Sequence, residues 1–128
     1  MTEDTEFTPQ EVRQTAGRSI AFNGRLLAST EFQTRQGKPR SLLLEVWETQ
    51  GGAYVAVSRS EAIGGPDDSD VRATVVKIGA PDPEFPAIIW VPNELEMRCA
   101  VMDHFAWNYR ARAMCRKALG WKFVQEIA

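Results

Sequence analysis

Histidine occurs once in this 128-residue chain and cysteine twice. A structural zinc site needs four protein ligands and a catalytic one three. His104, Cys99 and Cys115 cannot meet that need without carboxylates. On one straight helix the two cysteines would stand 16 residues apart, roughly 24 Å along the axis. A disulfide requires Cα atoms within about 7 Å, so no internal disulfide is expected, which suits a reducing compartment. Long apolar runs are missing too. The longest strongly apolar run is Ala87 to Val91, far short of the roughly 20 residues of a membrane span. The N-terminal MTEDTEF lacks the apolar stretch of a signal peptide. The expectation is a cytoplasmic protein with no membrane partner, residues 1–7 a flexible tail and 8–128 one domain.

Positive charge is not in excess. The net charge is −2, which excludes a surface coated in basic residues for nucleic acid. No phosphate loop is present, since Gly64-Gly65 is not followed by Gly-Lys-Ser/Thr. Asp67, Asp68 and Asp70 do not have the spacing of an EF-hand loop and read as a solvated acidic turn. No metal or other cofactor is expected.

What the chain does have is one long helical pattern, Asn93 to Gly120. Asn93 is a good N-cap, Glu96 completes a capping box, and Gly120 is a natural stop. Leu95, Cys99, Met102, Ala106, Tyr109 and Ala113 recur at helical spacing. The opposite side is also apolar: Met97, Ala100, Val101, Trp107, Ala111 and Leu119. A helix apolar on two sides must bury both. The second side calls for a short N-terminal helix, a curled sheet or a partner chain.

The rest reads mainly as strands. Thr8-Pro9-Gln10-Glu11 has the chemistry of a helix start, stopped at Gly17. Ser19–Phe22 and Leu26–Thr34 are strand-like. Asn23-Gly24 between them is either a hairpin turn or a glycine bulge in one continuous strand. Arg40–Thr49 and Ala53–Arg59 alternate about Gly51-Gly52 and form a hairpin. Val71–Ile78 alternates Val71, Ala73 and Val75 against Arg72 and Thr74. The prolines at 81, 83 and 86 keep that segment out of a sheet. Ala87–Val91 is a short buried strand or the packed approach to the helix, and Trp121–Ile127 reads as a final strand. The predicted class is α+β: a mainly antiparallel meander of five to six strands around one long C-terminal helix, with a short N-terminal helix and a C-terminal strand.

No catalytic constellation is evident. His104 has no carboxylate or nucleophile three or four residues away, and Asp103 beside it points elsewhere. The basic residues are uneven: residues 1–100 sum to −5 and residues 101–128 to +3. Trp107, Tyr109, Arg110, Arg112, Arg116 and Lys117 therefore form the candidate contact patch. Arg112 and Arg116 share one helix face, Arg110 and Lys117 another. Trp, Tyr and Arg dominate interface hot spots. The leading reading is a small non-enzymatic binding or regulatory module acting on a protein partner or as a homodimer. The alternative is a nucleic-acid-binding regulator using the basic half of the helix. A third class is an enzyme or carrier with a pocket between helix and sheet, near Asp103, His104 or Tyr109.

Phe22–Ala28, Leu44–Thr49 and Gly52–Val55 together resemble the strand region of small bacterial proteins of the EXLDI type, over about a quarter of the chain. The DNA-binding-like N-terminal segment and acidic C-terminal signature that the resemblance implies have no counterpart here, so no residue role is carried over.

Overall fold

The computed structural model describes residues 6–35, 37–64 and 69–124. Six strands lie in chain order in one sheet: β1 (Thr8–Val12), β2 (Ile20–Thr34), β3 (Arg40–Thr49), β4 (Tyr54–Ala62), β5 (Ser69–Ile78) and β6 (Ile88–Val91). Neighbours are antiparallel up to β5, and β6 runs parallel to β5. Helices α1 (Glu94–His104) and α2 (Tyr109–Leu119) follow.

The period of two along each strand sorts the apolar residues onto both faces. Leu44, Val46, Ala56 and Val76 face the helices and meet Met97, Val101, Met102, Phe105, Met114 and Cys115. Val55, Val57 and Val12 are buried on the other face, with Phe22, Trp47 and Val75 around them. The helices cover only the first face. The second is enclosed because the sheet curls and a strap, residues 13–19, crosses from β1 to β5. There the Thr15 N–H donates to the Val71 carbonyl at 3.0 Å. In return the Val71 N–H donates to Thr15 Oγ1 at 2.7 Å, and the Ala73 N–H to Gln14 Oε1 at 3.0 Å. The strap thus pairs the first half of β5, while β6 pairs the second.

Four expectations require correction. The single helix over 93–120 is two short helices in a mainly β molecule. Both predicted ends are present: Asn93 Oδ1 accepts from the Glu96 N–H at 2.9 Å, and Gly120 ends α2 at φ 66°. Between them Ala106 (φ 53°) and Trp107 (φ 55°) turn left-handed, and Asn108 caps α2 through the Arg110 N–H at 2.8 Å. The break lets α1 bury Met97, Val101 and Met102, and α2 bury Ala111, Met114 and Cys115. Ala106 and Tyr109, placed on the buried face by periodicity, are exposed. The doubly apolar helix is therefore resolved by a change of direction, which removes the premise for a second chain.

The N-terminal helix is instead strand β1. Pro9 is tolerated there because β1 pairs with β2 alone within the sheet, and an edge residue can spare its donor. Asn23-Gly24 lies inside continuous β2. The register shift falls further along the strand, between Leu26 and Ala28, so Leu27 and Ala28 both pack toward the helices. Gly24 is needed for space: a Cβ there would stand 2.5 Å from the Phe22 ring. The final strand is absent over residues 121–124, which are irregular. Trp121 is held by stacking on Tyr54 at 5.4 Å and by the Arg98 guanidinium 5.8 Å from its centroid. Residues 125–127 of that predicted strand lie outside the described residues, as do Asp67 and Asp68 of the acidic turn and residues 1–5 of the tail.

Candidate functional site

Helix α2 is anchored by its buried side and offers the other to solvent. Arg110, Arg112, Arg116, Lys117 and, beyond the helix, Lys122 are all exposed. Residues 106–124 contain these five basic residues and no acidic one. None of the five has an ion-pair partner among the described residues.

The six patch residues are divided between two grooves flanking α2. Tyr109, Arg110 and Lys117 line one of about 410 Å³ against Ser29 and Thr30 of β2. The Arg110 guanidinium lies 4.8 Å from the Phe32 centroid and 5.4 Å from that of Tyr109. Tyr109 is 62% exposed. Trp107, Arg112 and Arg116 line the other groove, of about 310 Å³, with Trp121, Lys122 and Phe123. Here the aromatic floor is fixed. The Trp107 indole N–H donates to Asp103 Oδ1 at 2.7 Å, and its ring meets Phe123 edge-on at 5.5 Å. A contact residue already held in place loses little rotamer freedom on binding.

His104, which has no chemical partner along its own helix, finds two across the sheet. Its Nδ1 lies 2.7 Å from Thr74 Oγ1 and its Nε2 3.1 Å from Ser58 Oγ. Burial, with a smaller contribution from the Arg72 charge, pushes its pKa down to about 4. The ring is therefore neutral at pH 7, one nitrogen donating and the other accepting. A serine hydroxyl beside a neutral imidazole is the start of a nucleophile–base pair, but the third partner is a threonine and not a carboxylate. The arrangement works as a hydrogen-bonded strut between α1 and the sheet. The Cys115 thiol is pushed up to about 12 by burial and is inert. Tyr54, raised to about 12 by burial and by Glu94, donates to Glu94 Oε1 at 3.3 Å.

Sequence reading missed a third recess, on the face away from the helices. It measures about 550 Å³ and opens between the start of β2, the β3–β4 turn and β6. One signal for it exists. Lys77 continues the Val71–Ala73–Val75 side of β5, and a lysine breaking an apolar alternation marks a boundary of that face.

The chain matches no family model, and neither the curated proteins nor the solved structures return a match. The resemblance of the 22–28, 44–49 and 52–55 segments to the EXLDI strand region thus stays at the level of shared strand and hairpin chemistry. Among the described residues no helix is long and apolar enough to cross a membrane.

Proposed function

We propose that this protein is a non-enzymatic binding module that docks an acidic segment of a partner protein across α2. The observation that carries this reading is the unopposed basic run over residues 106–124, set beside the clamped Trp107 and the exposed Tyr109. Arginine and aromatic side chains give such a surface its anchors. The unpaired cations give it selectivity for negative charge and a fast, salt-sensitive encounter.

Scale favours a protein segment over a nucleic acid. The 11 residues of α2 extend about 16 Å, and the rest of the molecule carries a negative balance that repels a long polyanion. Single-stranded nucleic acid is the second reading, favoured by two exposed aromatic rings beside cations, the arrangement on which bases stack.

Selection of random displayed peptides on the wild-type protein tests this, with Arg112→Glu/Arg116→Glu as the counter-target. The expected peptides are rich in Asp and Glu around an apolar residue. They bind the variant at least about tenfold more weakly, the loss expected when charged contacts are reversed. Peptides with no acidic bias, or with equal affinity for the variant, would overturn the reading. Fluorescence anisotropy of mixed-sequence single-stranded DNA runs in parallel. Tight binding that falls steeply with salt and disappears in the variant would put nucleic acid in first place.

A further inference from the structure

The recess on the face away from the helices is formed by residues that no interaction on the α2 side uses. Phe22, Val55, Val75, Phe85, Ile88 and Trp90 make its walls. Val55 at the base is fully buried, while Phe85 at the mouth is 51% exposed. Its volume of about 550 Å³ lies within the range of sites that take small organic ligands, roughly 300–1,000 Å³. An apolar lining of this kind selects an apolar body.

Among the described residues that line the recess, the one cationic side chain is Lys77. Lys77 Nζ lies 6.0 Å from the Trp90 centroid. The amine also reaches the β3–β4 turn, where a Cβ on Gly51 would stand 4.0 Å from it. It has no ion-pair partner among the described residues. The Trp90 ring packs close to Gly79, where a Cβ would approach its six-membered edge to 3.1 Å. The exposed Asn23 and Gln50 flank the same opening. The lining also holds one carboxylate, Asp82, whose Oδ1 accepts the Glu84 N–H at 3.0 Å. A single cation above a mainly apolar cavity fits a monoanion better than a phosphate, whose higher charge calls for several donors.

We infer that the open end of the rolled sheet, between Phe22, the β3–β4 turn and Trp90, binds a small organic monocarboxylate with an apolar body, its carboxylate held at Lys77. The site lies on the opposite face of the sheet from α2 and stands or falls independently of the peptide-docking reading.

Amide NMR titration with decanoate, decanol and decylammonium, each kept below its micellar concentration, decides the matter. Decanoate is expected to saturate one site, with shifts concentrated at residues 20–23, 49–55 and 75–90. Decanol is expected to bind the same site at least about tenfold more weakly, as the loss of a charge-assisted contact implies. Lys77→Met should bring decanoate down to the level of decanol while leaving decanol unchanged. The inference is overturned by any of four results: no saturable shift, shifts scattered over both faces, decylammonium binding as well as decanoate, or a Lys77→Met protein that holds decanoate as tightly as wild type.

Discussion

Ala106 and Trp107 hold the least comfortable backbone among the described residues. Two consecutive non-glycine residues have positive φ, in a region where an L-residue loses roughly 1–2 kcal/mol to contact between its Cβ and the carbonyl. Local bonds hold them there. The Trp107 N–H donates to the Met102 carbonyl at 2.9 Å and the Ala106 N–H to that of Asp103 at 3.0 Å. The Asp103 carboxylate then takes the Trp107 indole. Ala106 is exposed and its methyl has no structural task. Ala106→Gly is therefore expected to raise stability by about 0.5–1 kcal/mol, after allowing for the greater freedom glycine gives the unfolded chain. A urea titration should show a higher midpoint at an unchanged slope. A lower midpoint would mean that the turn carries no strain.

Among the elements, α1 depends on its last residue. His104 bridges Thr74 on β5 and Ser58 on β4 as a neutral ring. Its folded pKa is lowered to about 4, against about 6.5 for a free imidazole. Above pH 6.5 both states are neutral and the bridge contributes in full. As pH falls toward 4 the unfolded chain takes up a proton that the folded one refuses, so stability declines through this window. His104→Phe removes the titration. The loss of stability between pH 7 and pH 4.5 should shrink in this variant by about 1–2 kcal/mol, a figure discounted for partial solvent screening. Equal pH slopes for the two proteins, from denaturant midpoints, would show that the ring does not resist protonation.

The elements also divide by how much of them local chemistry determines. The Asn93 cap and the Gly120 stop are readable because each satisfies backbone groups within a few residues of itself. The β3–β4 hairpin is readable for the same reason, with alternation on both sides of Gly51-Gly52. The break at Ala106–Trp107 has no glycine or proline to announce it. It follows from packing, since α1 lies against β4, β5 and β6 while α2 lies against β2, a different part of the same sheet. At the N-terminus a helix-start pattern, Thr8-Pro9-Gln10-Glu11, lost to pairing with β2; two turns of helix have little stability of their own. The basic patch on α2 could be found from composition alone. The recess at Lys77 left only the break in the β5 alternation as a sign, because its walls come from separate parts of the chain.

At the level of the whole molecule, the curled sheet is closed by four hydrogen bonds between Gln14 and Thr15 and β5. Thr15→Val keeps the shape and the main-chain bond but removes the acceptor of the Val71 N–H and the hydroxyl that donates to the Ser69 carbonyl at 3.4 Å. The expected cost is about 1 kcal/mol. Native-state hydrogen exchange should then quicken at Val71 and Ala73 well before it does at Val55 or Val57. Uniform acceleration across the sheet would mean that the strap does not open as a separate unit.

Thr15 and Val71 are 56 residues apart. During synthesis each strand from β2 to β5 can pair with the one that left the ribosome just before it, whereas the strap must wait for β5 to appear. Until it docks, β5 carries a row of open main-chain groups over Ser69–Ala73, a ready template for a strand of another molecule. The two residues that close the sheet therefore also guard against intermolecular pairing. Loosening the strap should show first as aggregation of newly made protein, before any loss of function in chains already folded.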